Sequence, residues 1–277
     1  MSETWRLVQE PALASGATNM ALDETIASFV AQGQVPPTLR IYGWRRRTIS
    51  IGRFQSVADL DLTAARAQGV EIVRRPTGGR ALLHAAEVTY ALALPRDHAL
   101  AAGGVLAIYR RISRGLVTAL AQLGLQADPL VSDRRLPGAR SAACFEMPSA
   151  YEITVGGKKL IGSAQCTREG YVLQHGSVPL AGTQAALVPF LDLEDADREA
   201  LGRTLGRRST SLGRQAAAAL GAPRRFSRRD VAGALARGIC SGLDVVLEEA
   251  HTEPGEMETA GVLIRRKYAN DAWTYQT

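Results

Sequence analysis

The stretch YEITVGGKKLIGSAQCTREGYVLQHGSV, residues 151–178, carries three β-rich runs in close succession, at 151–155, 159–164 and 171–178. Gly156-Gly157 separates the first two and Arg168-Glu-Gly170 the last two. Glycine at such points supplies the backbone freedom that tight hairpin turns need. The spacing therefore predicts a meander whose first hairpin lays 151–155 against 159–164. A meander is unlike the regular strand and helix alternation of a doubly wound sheet, and it sets the class as α+β.

Upstream lies 128–143, rich in Pro, Gly, Ser and Arg, which reads as a loop of unusual length with Cys144 at its far end. Before it, Ile108, Ile112, Leu116, Leu120 and Leu123 recur at helical spacing and predict a helix over 105–123, closed by Gly124. Runs at 70–73 and 88–94 read as strands framing a glycine-rich loop, and 62–68 as a short helix. Two more β-rich runs, 39–44 and 48–52, flank Arg45-Arg46-Arg47 and predict a hairpin. Leu22, Ile26, Phe29 and Val30 predict an amphipathic helix over 19–30 with Asp23 and Glu24 in its first turn, ended by Pro36-Pro37 and preceded by a strand at 5–8. Past Pro189 the pattern is helical and arginine-rich apart from a strand candidate at 243–247, and it ends in a helix and the tail Trp273-Thr-Tyr275. No repeat or linker-like stretch is present. The expectation is an α+β fold with largely antiparallel or mixed sheets packed with helices. One catalytic domain is expected over 1–250, followed by a C-terminal helix and tail over 251–277.

A chain of 277 residues that is 46% hydrophobic and 22% charged can bury a sizeable core. No run approaches the ~20 apolar residues of a membrane span, and the first residues lack the layout of a signal peptide. The expected location is the cytoplasm, with no membrane partner. Cys144, Cys166 and Cys240 are widely spaced and form no CxxC, which argues against a disulfide framework and a structural zinc site. The four histidines form no HExxH, so no catalytic metal is expected. The formal charge of +6 comes almost wholly from arginine, since Lys158, Lys159 and Lys267 are the only lysines. The arginine clusters are short and lack the interleaved aromatics of a single-strand binder, so no nucleic-acid partner is expected. They read either as solvated charges or as a cationic face for an acidic protein.

Three segments could carry chemistry. The loop RRPTGGR, residues 74–80, follows a strand and precedes His84; its amides and guanidiniums suit an anion or an acyl carbonyl, the alternative being a tight turn with solvent-facing arginines. It is neither a Walker loop nor a dinucleotide fingerprint. Cys144 stands where a long loop meets a strand, and Lys159 follows across the predicted hairpin. An adjacent ammonium would favour thiolate over thiol and so makes Cys144 a candidate nucleophile, the alternative and commoner case being a buried structural cysteine. Around Lys159, small residues such as Gly162, Ser163 and Ala164 leave room for an acyl chain, and His175 on the next strand could orient substrate, shuttle a proton or serve as a structural hydrogen-bonding group. Cys240 reads as core, and His98 and His251 as surface residues.

Taken together, NMALD (19–23), RRPTGGR (74–80) with His84, CFEMPS (144–149), GSAQ (162–165) and QHG (174–176) resemble, in order and spacing, the biotin/lipoate protein ligase family. Within it they are most similar to the octanoyl transferases of Gram-positive bacteria, and the resemblance extends to the tail KYANDAWTY (267–275). It implies a class II synthetase-like α+β fold. It also implies a monomer that moves octanoyl from the phosphopantetheine thioester of acyl carrier protein to a lysine of a lipoyl domain, that of the glycine-cleavage H protein, without a cofactor. By motif, Cys144 matches the acyl-accepting nucleophile, and Lys159 the lysine that activates it or polarises the carbonyl. Arg74, Arg75, Thr77, Gly78, Gly79, Arg80 and His84, with Gly162, Ser163, Ala164, His175 and Gly176, would form the acyl and carbonyl pocket. One departure is Ala85, where the family commonly has Asp, which puts a role for that position in doubt. Two rivals are an ATP-dependent lipoate ligase and a non-catalytic carrier-binding protein. Ligases generally read Gly-Gly-Gly where this chain has Gly78-Gly79-Arg80 and do not need a nucleophile at Cys144.

Overall fold

The structure, a computed structural model, describes residues 2–128, 152–168 and 170–276. The chain runs β1 (Glu3–Gln9), α1 (Gly16–Ala31), β2 (Thr38–Tyr42), β3 (Thr48–Ile51), α2 (Leu62–Ala67), β4 (Glu71–Arg74), β5 (Leu82–His84), β6 (Glu87–Pro95) and α3 (Gly104–Gln122). It continues through β7 (Glu152–Val155), β8 (Lys158–Arg168), β9 (Tyr171–Pro179), α4 (Asp195–Arg208), α5 (Leu212–Leu220), α6 (Arg228–Leu243), β10 (Val245–Ala250), α7 (Pro254–Leu263) and α8 (Asp271–Thr274). A seven-stranded sheet in the order β10-β1-β2-β6-β9-β8-β7 stands beside a three-stranded sheet in the order β4-β3-β5.

The meander forms. β7 and β8 pair antiparallel with Ile153 opposite Ile161, and β8 and β9 pair with Ala164 opposite His175. The sheets are mixed, because β1 runs parallel to both β10 and β2, and β3 parallel to β4. Antiparallel pairing dominates only from β2 through β7.

The hairpin expected from 39–44 and 48–52 does not form. Every residue of β2 and β3 is buried. Each strand has neighbours on both edges, β1 and β6 for β2, β4 and β5 for β3. Strands so enclosed cannot also pair with each other, and the exposed residues 45–47 cross from one sheet to the other.

The first helix also differs from expectation. Ser15 accepts the Thr18 N–H at 3.2 Å and starts α1 at Gly16, so Asp23 and Glu24 fall mid-helix. Nor is α1 one-sided. Met20, Ala21, Leu22, Ile26, Ala27 and Val30 join a core with Ala91 and Leu173 of the large sheet, Ala260 of α7 and Tyr268. The opposite face of that sheet packs on α3 and α6, and the small sheet has its own core with α4 and Leu187, Phe190 and Leu191. No helix among the described residues is long and apolar enough to cross a membrane.

Candidate active site

Residues from the two sheets and from the loop after β4 enclose a cavity of about 550 Å³, its open mouth included. One wall is Gly162, Ser163 and Ala164 of β8 with His175, Gly176 and Ser177 of β9; the other is Ser50, Leu82 and His84 of the small sheet with Arg75 and Arg80. Met20, Tyr42, Trp44 and Thr89 are buried and form the inner end. Trp44 stacks on His84 with ring centroids 3.8 Å apart, and donates its indole N–H to Thr89 Oγ1 at 2.8 Å. His84 is fixed in turn by Glu87 and Ser50, each 2.8 Å from a ring nitrogen. This inner end is buried and presents the Tyr42 and Trp44 rings and Met20, and it suits an apolar chain.

Lys159 lies along the β8 wall, 6% exposed, with Nζ 2.6 Å from Glu152 Oε1 on β7. Gly162 makes room for it, since a Cβ there would lie 2.9 Å from Lys159 Cε. In such a low-dielectric wall a charged group would act on a neighbouring anion far more strongly than in water.

Behind the β9 wall is a buried polar chain. His175 Nδ1 is 3.1 Å from Asp23 Oδ2, and His175 Nε2 is 2.7 Å from Thr77 Oγ1. Asp23 also accepts from Arg40 Nη1 at 2.7 Å and from the Tyr42 hydroxyl at 2.8 Å. Burial raises the Asp23 carboxyl pKa, but the hydrogen bond from His175 and the charge of Arg40 outweigh it and hold the group below its ordinary value. For His175 burial prevails over the pull of Asp23 and depresses the imidazole below its ordinary value. The ring is therefore neutral at pH 7. An ionised Asp23 fixes the tautomer: Nδ1–H donates to the carboxylate, and Nε2 accepts from the Thr77 hydroxyl.

Of the residues expected at the site, Arg75, Arg80, His84, Lys159, Gly162, Ser163, Ala164, His175 and Gly176 line the cavity together. Thr77 sits behind His175, fully buried, and Gly78 and Gly79 border grooves on the outer side of the loop. Arg74 is elsewhere. Expected to meet a substrate oxygen, its guanidinium instead donates to the carbonyls of Gly52, Arg53, Gln55, Trp273, Thr274 and Gln276. Arg75 reaches the cavity but also ties its own loop, donating to Gly78 O, Arg80 O and both oxygens of Ser50. Arg80 lines the mouth, and its guanidinium has no hydrogen-bond partner among the described residues.

Cys144 and the expected loop from 129 onward lie outside the described residues. Cys166 is half-buried against the core around α1, and burial with the nearby Glu24 carboxylate pushes its thiol up to about 12, so it stays a thiol. Cys240 is half-buried in α6. His98 is not a free surface group, since it bonds Glu3 and stacks edgewise on Trp5, whereas His251 is exposed.

Sequence reasoning missed Asp23, Arg40, Tyr42, Trp44 and Glu152. A signal existed for Asp23, a carboxylate among Leu22, Ile26 and Val30 that must find a buried partner. No comparable local signal marks the others, whose roles arise from strand pairing.

The family model described as the lipoyl protein ligase A/B catalytic domain matches residues 15–239. Octanoyltransferase LipM of Kyrpidia tusciae is 42% identical over 280 residues, covering 99% of each chain. Octanoyltransferase LipM of Symbiobacterium thermophilum is 40% identical over 282 residues, covering 99% of this chain and 98% of the relative. Among solved structures, lipoate-protein ligase A bound with ATP superposes at a TM-score of 0.77 with 23% identity, covering 99% of both chains. The bi-partite lipoate protein ligase of Thermoplasma acidophilum superposes at 0.78 with 23% identity, covering 99% of this chain and 96% of the other. At that identity the two structures speak to the fold alone, and they bear out the expected ligase-type α+β architecture.

Proposed function

We propose, since the chain belongs to the lipoyl protein ligase A/B catalytic-domain family, that it is an octanoyltransferase of lipoate biosynthesis working through Cys144 and Lys159. The octanoyl transfer rests on one observation above the rest, the end-to-end match to relatives that are octanoyltransferases. An acyltransferase of protein lipoylation acts on a lipoyl-domain protein. Acyl carrier protein as donor, the glycine-cleavage H protein as acceptor, and a monomeric enzyme complete the reading.

In the first step the Cys144 thiolate attacks the octanoyl carbonyl of the donor thioester. A C–S bond to the enzyme forms, and the pantetheine sulfur leaves and takes a proton. In the second step the acceptor lysine, as free amine, attacks the enzyme thioester; an amide forms, the amine gives up a proton, and Cys144 leaves as thiolate. Both acyl donors are thioesters, so no ATP is consumed. The Lys159 ammonium, held by Glu152, favours the Cys144 thiolate and stabilises the oxyanion of each step. Arg80 at the mouth adds a second cation, and the inner end around Trp44 and Met20 takes the octanoyl tail. Neutral His175, anchored between Asp23 and Thr77, orients the wall beside the carbonyl.

The test is intact-mass analysis after incubation with octanoyl carrier protein. An adduct of one octanoyl group that forms without ATP, disappears in Cys144→Ala and passes to a lipoyl domain supports the reading. Full transfer by Cys144→Ala, or an absolute need for ATP, overturns it. Lys159→Ala should slow both adduct formation and alkylation of Cys144 at neutral pH.

A further inference from the structure

Among the described residues, strand β7 covers β8 only as far as Gly162. From Ser163 to Arg168, β8 has β9 on one side and, among the described residues, no strand on the other. Such an edge directs alternate N–H and C=O groups outward and is a template for any extended chain of amides. Its first part lines the active-site cavity; its second part, Gln165 to Arg168, borders a groove whose far bank is Arg53, Phe54 and Gly78. Cavity and groove are thus consecutive along one strand.

Among the described residues no carboxylate lines this groove. The Arg53 guanidinium lies 5.4 Å from the centroid of the Phe54 ring and 5.5 Å from that of Trp273, and donates no hydrogen bond among the described residues. Arg168 donates to Pro76 O at 3.2 Å and retains further N–H groups. Phe54, 86% exposed, projects at the rim. Both polar atoms of the Gln165 carboxamide are buried without a partner among the described residues, a cost of about 1–3 kcal/mol per group that a bound amide would remove.

We infer that this groove holds the phosphopantetheine arm of the carrier-bound octanoyl donor, its amides on the open edge of β8 and Gln165, its phosphodiester between Arg53 and Arg168. The inference rests on the octanoyl-transfer reading and adds where the donor arm lies. Five steps at about 3.3 Å make the edge from Ser163 to Arg168 about 17 Å long, the span of an arm comparable to a five-residue extended peptide. Guanidinium is the preferred partner of phosphate oxygens, and two arginines with no competing carboxylate among the described residues of the groove favour a phosphodiester over an acidic peptide strand. Phe54 would then meet the carrier surface beside the arm's attachment.

Three soluble donors separate the parts: octanoyl-phosphopantetheine, octanoyl-pantetheine and the octanoyl thioester of N-acetylcysteamine, with kcat/KM read from acylation of Cys144. The phosphorylated donor should exceed octanoyl-pantetheine by about tenfold or more, as one charge-assisted bond implies. That ratio should fall toward one in Arg53→Gln/Arg168→Gln. In Gln165→Leu, octanoyl-pantetheine should lose its advantage over the cysteamine thioester. Octanoyl carrier protein should outrun octanoyl-CoA, with the margin reduced in Phe54→Ala. Equal rates for phosphorylated and unphosphorylated donors in the unmodified enzyme, or a ratio untouched by the double arginine variant, overturn the inference, and do so even if a variant folds poorly, because the first comparison needs none. Inhibition of acylation by an acceptor-domain peptide, relieved in the arginine variant while the donor ratio stays at one, would assign the edge to the acceptor instead. Absence of acylation from every donor would overturn the octanoyl-transfer reading itself.

Discussion

His175 shows how a residue named from sequence acquires its role from one that was not. A histidine on a predicted strand beside a Gly-rich motif was legible, but its neutral state and its orientation come from Asp23, 3.1 Å away on α1. Asp23 was visible as a letter and misplaced as a helix-dipole residue, because the first turn of α1 lies at Ser15 to Thr18 rather than at Asn19. The pair makes stability pH-dependent with a definite sign. His175 in the unfolded chain protonates near 6.5, whereas in the folded protein its value is depressed. Below about pH 6.5 the unfolded state therefore binds the extra proton, and stability falls as the pH falls toward the folded value. Asp23, ordinarily at 3.8 and also depressed by folding, adds a second loss when the pH drops through that region. Melting temperature measured from pH 7.5 to 5 should decline for the unmodified protein and be flatter in His175→Gln, which lacks the titrating group. An equal decline in both would place the acid-sensitive group elsewhere.

At the scale of elements, Ser163 of β8 and Tyr90 of β6 bond at 2.7 Å across the intervening β9, and Gly176, paired with both, permits it because it places no side chain between them. A Cβ at Gly176 would lie 2.5 Å from both Ser163 Oγ and Tyr90 Cε1, and 3.0 Å from Gly162 O. Gly176→Ala should therefore cost about 1–3 kcal/mol in denaturant unfolding, as overpacking of a filled interior does. It should also slow acylation by shifting the Gly162 to Ala164 wall. Adding Ser163→Ala should recover only part of the stability, because the Tyr90 ring and the Gly162 carbonyl remain; complete recovery would mean that the hydroxyl alone sets the spacing. The same strands show what local sequence can specify. The meander was legible because Gly156-Gly157 fixes its turn within a few residues of the strands it joins. The false hairpin at 39–52 had equally good strand signals, but its strands belong to different sheets, and that choice depends on β1, β6, β4 and β5, far away in the chain. The cavity shared this fate: its β8 and β9 wall was readable in one stretch, whereas Tyr42, Trp44 and Ser50 reach it only through the pairing that sequence misassigned.

At the scale of the whole molecule, the C-terminal segment is bound to the first half of the chain by buried charge. Arg6 of β1 makes a two-pronged pair with Glu256 of α7, with both side chains nearly inaccessible. Lys267 reaches Glu24 of α1 at 2.6 Å. Arg74 gives half its bonds to the turn carrying Arg53 and half to the carbonyls of Trp273, Thr274 and Gln276, while Trp273 returns its indole N–H to Arg74 O at 2.9 Å. We therefore propose that residues 251–277 belong to the same folding unit as the catalytic domain. Ending the chain at Asn270 leaves Arg6, Glu256, Lys267 and Glu24 in place but removes the tail acceptors of Arg74 together with the Trp273 ring that packs on Tyr268, Lys267 and Arg53. An arginine buried with part of its acceptors missing destabilises its surroundings, here the Gly52 to Gln55 turn and the strand that leads into the loop at 75–80. The shortened chain should melt at a lower temperature and acylate Cys144 more slowly. Arg74→Leu should then cost much less stability in the shortened chain than in the full one, because the bonds it removes are already partly gone. Equal costs in the two backgrounds would show that Arg74 and the tail stabilise the protein independently, and that the segment is an appendage to the site rather than part of its frame.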